Sequence, residues 1–140
     1  MTGKSFVDTN ILVYAYDRMS GVKHDRALAI VQRLWETGEG VLSTQVLQEL
    51  CVTLQRRVAN PASIEKIREI VRTFLAWQVV VNTPESVLRA LEIEERHTIS
   101  FWDALIVQAA ESAGATVLYS EDLAAGRSYG AVRVVNPLVG

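Results

Sequence analysis

Ser5-Phe6-Val7-Asp8-Thr9-Asn10 decides how the rest of the chain is read. The apolar run from about Lys4 to Val7 has the length and character of a short buried strand. It stops at an acid, and a helical pattern begins near Asn10. A strand running straight into a helix is the first half of a βα unit. If more such units follow, the strands form a parallel sheet joined by right-handed crossovers. Residues at the carboxyl ends of the strands then line a ligand crevice, and Asp8 stands at such an end.

More units do follow. A helix is expected over about Val22 to Thr37, with Ala27, Ile30, Val31 and Leu34 on one face at i, i+3, i+4 and i+7. Gly38 and Gly40 end it. Val41-Leu42-Ser43 reads as a strand, and Thr44 as the N-cap of a helix reaching about Val58. Asn60-Pro61 breaks the chain, and Pro61 is expected to open a helix that turns Ile64, Ile67, Val71, Phe74 and Leu75 inward. Val79-Val80-Val81 is a third strand. Pro84 opens a helix holding Val87, Leu88, Leu91 and Ile93. Ser100 caps a helix that buries Trp102, Leu105, Ile106, Ala109 and Ala113, and Gly114 ends it. Val117-Leu118-Tyr119 is a fourth strand, and a glycine-containing loop leads to a last one over Val132 to Val135. The expectation is one α/β domain over residues 1–140, with a helix-rich middle and a mostly parallel sheet of four to five short strands.

Four acids recur at places where such a sheet presents its ligand edge. Asp8 follows the first strand, Glu49 lies in the helix after the second, and Asp103 opens the helix of Trp102. Asp122, or its neighbour Glu121, follows the fourth strand. Each has a simpler explanation. Asp8, Thr9 or Asn10 could cap the first helix. Asp103 lies three residues after Ser100, and negative charge suits a helix N-terminus. Glu121 and Asp122 could form an ordinary polar turn. Glu49 resists this treatment: it lies past the first turn of its helix. Its i+3 and i+4 neighbours, Val52 and Thr53, offer no ion pair, and it flanks the apolar face of Val46, Leu47, Leu50 and Leu54. Carboxylates gathered in one crevice repel one another unless a cation lies between them. Hard divalent cations prefer oxygen ligands, and in such sites they can activate water against a phosphodiester.

Composition narrows the classes. The chain has 140 residues and a net charge of −2, so a broadly basic nucleic-acid coat is excluded, though a local basic rim is not. Cys51 is the only cysteine, which rules out an internal disulfide and the usual cysteine zinc spacings. His24 and His97 are far apart, and neither belongs to a nucleophile–base motif. No GxxxxGK[ST] phosphate loop is present. No stretch is apolar enough to span a bilayer, and none before Asp8 forms a signal core. A cytoplasmic protein is expected, with no membrane partner.

In sequence order, four segments are similar to those of the PIN-domain family, in particular the VapC-type toxins of bacterial toxin–antitoxin pairs. The opening Phe6-Val7-Asp8-Thr9-Asn10-Ile11-Leu12-Val13-Tyr14-Ala15 resembles the start of that domain. Ser43-Thr44-Gln45-Val46-Leu47-Gln48-Glu49-Leu50 resembles its second acidic segment, and Phe101-Trp102-Asp103-Ala104-Leu105-Ile106-Val107 its third. Leu118-Tyr119-Ser120-Glu121-Asp122-Leu123, with Val135-Asn136-Pro137-Leu138, resembles its end. The resemblance implies a PIN-like three-layer α/β/α fold and an endoribonuclease dependent on Mg²⁺ or Mn²⁺ that leaves 5′-phosphate and 3′-hydroxyl ends. It implies a homodimer inhibited by a cognate antitoxin. By position it makes Asp8, Glu49 and Asp103 catalytic, metal-binding acids. Asp122 becomes the fourth, two residues after Ser120, with Glu121 as the alternative. Thr9, Asn10 and Ser120 would support the site, Thr9 and Asn10 through hydrogen bonds.

RNA needs positive charge to hold it. Arg18, Lys23, His24 and Arg26 cluster after the first helix, and Arg18, Lys23 and Arg26 are the RNA-contact candidates. They equally suit a solvated helix end. Trp35, Trp77 and Trp102 are expected in the core or a dimer interface, and Cys51 as a small buried hydrophobe. Two other classes compete. A catalytically silent PIN-like module would bind RNA or a partner without turnover. A phosphoreceiver-like domain would want a lysine after a late strand, but Lys4, Lys23 and Lys66 are the only lysines.

Overall fold

The computed structural model describes residues 3–57 and 60–139. Strand β1 (Ser5–Val7) is buried throughout, as both faces of a parallel sheet demand. Helices α1 (Thr9–Tyr16) and α2 (Val22–Thr37) follow, separated by a 3₁₀ turn at Arg18–Ser20. Strand β2 (Gly40–Ser43) leads into α3 (Thr44–Gln55) and α4 (Ile64–Phe74), and β3 (Gln78–Val80) into α5 (Pro84–His97) and α6 (Phe101–Ser112). Strands β4 (Val117–Tyr119), β5 (Ser128–Tyr129) and β6 (Val132–Val135) complete the order.

The sheet runs β3-β2-β1-β4-β6-β5, with only β5 antiparallel. From β1 the chain steps outward through β2 to β3, then returns past β1 to β4. Right-handed crossovers therefore put α1 to α4 on one face and α5 and α6 on the other. The packing agrees: α1 lies against α2 and α3, α3 against α4, and α5 against α6. The direction reverses between β1 and β4, where open α/β sheets form their crevice. Val7 pairs with Tyr119 at that junction.

Several expectations are corrected. The sheet has six strands rather than four to five. Strand β5 has two residues, too few for any periodicity, and it turns into β6 through Gly130 at a φ of 60°. Ser43, not Thr44, caps α3, its hydroxyl accepting from the Val46 amide. The limit expected at Val58 lies outside the described residues; α3 ends at Gln55. Helix α4 opens at Ile64, capped by Ser63, rather than at Pro61. On α4, Ile67, Ile70 and Phe74 are buried, whereas Ile64 and Leu75 are exposed. Helix α5 buries Ala90 and Ile93 but exposes Val87, Leu88 and Leu91. Trp102 is 62% exposed rather than buried. Trp77 is in the core beside a half-exposed Trp35, and Cys51 is half-buried against it.

Other expectations stand. Thr83 and Ser86 form a capping box around Pro84. Ser100 accepts from the Asp103 amide and starts α6. Gly114 takes a positive φ just past its end. Among the described residues, no helix is long and apolar enough to cross a membrane.

Candidate functional site

Asp8 stands between β1 and α1, and its carboxylate is used on both sides. Oδ1 accepts from the Thr9 amide at 2.8 Å, and Oδ2 accepts from the Ser120 hydroxyl at 2.7 Å. Asp8 thus caps α1 and also ties β1 to the end of β4 across the junction where the sheet reverses. The residue is 5% exposed. Burial pushes its carboxyl up from 3.8 to about 6, against the lowering effect of the Ser120 and Thr9 hydrogen bonds. The charges of Glu49 and Asp122 raise it further.

Glu49 reaches the same place from α3. Its Oε1 accepts from the Thr9 hydroxyl at 2.6 Å, and its Oε2 from the Gln45 amide nitrogen at 3.3 Å. Asp122 follows β4, and its Oδ2 accepts from Asn10 Nδ2 at 3.0 Å. Asn10 Oδ1 accepts from the Glu121 amide, and Ser120 Oγ from the Asp122 amide. The turn after β4 is thereby fastened to the start of α1. Glu49 and Asp122 together line an open cleft of about 430 Å³ with Gln48, Val52 and Thr53.

Asp103 lies in the first turn of α6. Burial raises its carboxyl, the Ser100 hydrogen bond opposes this, and the charges of Asp122 and Glu49 raise it again. Gln45 Nε2 also donates to the Trp102 carbonyl at 3.3 Å, which sets the start of α6 beside the start of α3. Glu49 and Asp122 therefore lie within electrostatic reach of both Asp8 and Asp103.

Glu121 is arranged differently. Its Oε1 accepts from the Tyr14 hydroxyl at 2.8 Å, and its Oε2 pairs with Lys23 Nζ at 2.6 Å. The Lys23 hydrogen bond, helped by Tyr14 and by the Lys23 charge, holds the Glu121 carboxyl below its usual range against the raising effect of burial. Of the two adjacent acids, Asp122 joins the others and Glu121 has its own cation. Lys23 is exposed at the edge of this turn, Arg18 is exposed in the 3₁₀ turn, and Arg26 is half-buried on α2.

Among the described residues, no ion pair involves Asp8, Glu49, Asp103 or Asp122. Nor, among the described residues, do three or more acidic, histidine or cysteine side chains form a group that could hold a metal ion. Mg²⁺ is bound through one or two carboxylates and keeps several of its waters, and the pair that lines the cleft, Glu49 and Asp122, fits that mode. Two contributors escaped the sequence reading. Tyr14 had no signal. Gln45 had one, since it lies four residues before Glu49 on the same helix face.

The profile of the PIN domain matches residues 5–127. No curated protein matches the sequence significantly. Among solved structures, the chain is similar to VapC20 of Mycobacterium tuberculosis, described as a toxin that cleaves the sarcin–ricin loop. That match has 24% identity, covers 85% of this chain and 90% of that one, and gives a TM-score of 0.62. It is similar to a toxin–antitoxin complex from Klebsiella pneumoniae, with 16% identity, 96% and 98% coverage and a TM-score of 0.70. It is also similar to DNA-bound VapBC from Salmonella typhimurium, with 18% identity, 95% and 97% coverage and a TM-score of 0.63. At these identities the likeness is one of fold.

Proposed function

Because this chain belongs to the PIN-domain family, we propose that it is a metal-dependent endoribonuclease, the toxin of a toxin–antitoxin pair held inactive by a cognate antitoxin. The observation that carries the proposal is that Glu49 and Asp122 line a cleft within electrostatic reach of Asp8 and Asp103, and that none of the four has an ion-pair partner among the described residues. The solved structures of similar fold support the biological setting, since they include an RNA-cleaving toxin and toxin–antitoxin complexes. A cytoplasmic location follows from that setting.

In this reading Asp8, Glu49, Asp103 and Asp122 are the acids that hold Mg²⁺ or Mn²⁺. The bound ion supplies Lewis acidity toward water and the scissile phosphate. The chain's own groups fix the oxygens that receive it. Ser120 and the Thr9 amide orient Asp8, the Thr9 hydroxyl orients Glu49, and Asn10 orients Asp122. Lys23, with Arg18 and Arg26, draws the RNA backbone toward the cleft. The exposed Val87, Leu88 and Leu91 of α5 supply a homodimer surface.

The test is incubation of antitoxin-free protein with a mixed structured RNA pool in Mg²⁺, Mn²⁺ or EDTA, alongside Asp8→Asn and Asp103→Asn proteins. Cleavage that needs metal and disappears in both variants is expected. Cleavage that persists in EDTA, or in either folded variant, overturns the acid assignment. Metal binding and RNA binding without cleavage would favour the silent binding module.

A further inference from the structure

Gln45 is 4% exposed, in the first turn of α3, where an apolar side chain would bury more cheaply. Both of its amide hydrogens are engaged, one with Glu49 Oε2 and one with the Trp102 carbonyl, each at 3.3 Å. Its Oε1 is buried and has no partner among the described residues. A buried unsatisfied oxygen is costly and calls for a reason. That reason lies on the nitrogen side of the amide. Glu49 Oε1 is already held by Thr9 from α1, so Gln45 completes a two-sided grip on this carboxylate. The same nitrogen holds the residue immediately before Asp103. One side chain therefore sets where Glu49 points and how far the first turn of α6 stands from α3.

We infer that Gln45 is a positioning residue that fixes Glu49 relative to Asp103, so that the two acids present their oxygens to one divalent cation. The inference rests on the acidic-site reading proposed above. Partners of this kind, one step removed from the metal, commonly change metal affinity by roughly 10- to 100-fold when lost. A group that merely packs would change stability and leave affinity alone.

The experiment measures Mn²⁺ binding by titration calorimetry on wild-type, Gln45→Leu, Gln45→Ala and Glu49→Gln proteins, with thermal melts in EDTA as a fold control. Gln45→Leu keeps the volume and removes the buried amide, so it should melt at or above the wild-type temperature. It should bind Mn²⁺ roughly 10- to 100-fold more weakly, with Gln45→Ala shifted in the same direction. If the folded Gln45 variants bind Mn²⁺ as wild type does while Glu49→Gln binds weakly, the role of Gln45 is overturned and the acidic site stands. If wild type and Glu49→Gln bind alike, or neither binds, the acidic-site reading itself fails. If both Gln45 variants lose the fold, the amide is a packing group and the inference is overturned.

Discussion

The hydroxyl of Ser120 donates to the carboxylate of Asp8 at 2.7 Å, joining the ends of two strands that are 112 positions apart in the chain. Ser120 also accepts from the amides of Asp122 and Leu123, so one buried oxygen organises the turn that carries the fourth acid. Ser120→Ala should then act on both acids. Leaving these buried groups short of a partner should cost about 1–3 kcal/mol of stability. Activity or metal affinity should fall by roughly 10- to 100-fold. Urea unfolding in EDTA and Mn²⁺ titration measure the two effects. A variant that loses stability and keeps wild-type affinity would reduce Ser120 to a structural turn residue.

Asp8 makes metal-free stability depend on pH. Its carboxyl titrates at about 6 in the folded protein against 3.8 ordinarily, so the folded state binds the proton more tightly. The contribution is fully present below the unfolded value and is lost as pH rises through the folded one. Relative to Asp8→Asn, the wild type in EDTA should lose on the order of 3 kcal/mol between about pH 4 and pH 7. Asp103, also raised, adds to the wild type's fall in the same direction. Comparing the two proteins removes that shared part, together with the opposite contribution of Glu121. Parallel stability curves for wild type and Asp8→Asn would show that Asp8 is not the group responsible.

Much of this arrangement was legible because strand and helix signals alternate cleanly and the acids follow those signals. The run through Val7 into Asp8 gave the first βα unit, and α2 matched its expected limits because Gly38 stops it with a φ of 73°. Misreadings came where pattern and exposure part company. Leu88 and Trp102 occupy helical positions that look internal, but nothing within the described chain covers them. Whether an apolar helix face meets the sheet or faces outward depends on how α5 and α6 pack, and a period cannot report that. The family resemblance favoured Asp122, but the residues alone left Glu121 and Asp122 open, because adjacent residues leave a turn in different directions. Tyr14 and Lys23, about a hundred positions away, capture Glu121. Gly40 was read as a helix stop, yet it begins β2.

Gly40 has a reason for lacking a side chain that only the packing reveals. A Cβ built there would lie 2.7 Å from three ring carbons of Trp77. That ring cannot easily yield, being wedged edge-on against Phe74 at 5.0 Å between centroids and against Trp35 at 5.3 Å. Gly40→Ala should therefore destabilise by about 1–3 kcal/mol through overpacking, with a shift in tryptophan fluorescence. A neutral effect on the unfolding midpoint would mean that the aromatic cluster relaxes more readily than this geometry allows.

The outward side of α5 offers a test of assembly that leaves the acids untouched. Leu88 is 64% exposed, and Val87 and Leu91 flank it. If this surface holds two copies together, Leu88→Arg with Leu91→Arg should convert a dimer to a monomer in sedimentation equilibrium. Melting of the isolated monomer should change little, because exposed substitutions are usually within about 0.5 kcal/mol. A mass that stays dimeric would move the interface elsewhere, and a wild type that is monomeric at all concentrations would remove it.

Glu121 and Asp122 can be separated by charge-neutral substitutions of similar size. Asp122 shares the cleft with Glu49, whereas Glu121 answers Lys23 and Tyr14. Asp122→Asn should therefore weaken Mn²⁺ binding and RNA cleavage together, while leaving Lys23 where it is. Glu121→Gln should spare metal binding and release Lys23 from its partner. A freed lysine beside the cleft should strengthen RNA binding slightly and steepen its salt dependence, since one more cation is available to phosphate. Titrating each protein with Mn²⁺, and then with RNA at several salt concentrations, reads the two effects separately. Loss of Mn²⁺ affinity in Glu121→Gln, with Asp122→Asn unchanged, would reverse the assignment and require the turn after β4 to reorganise when the ion binds.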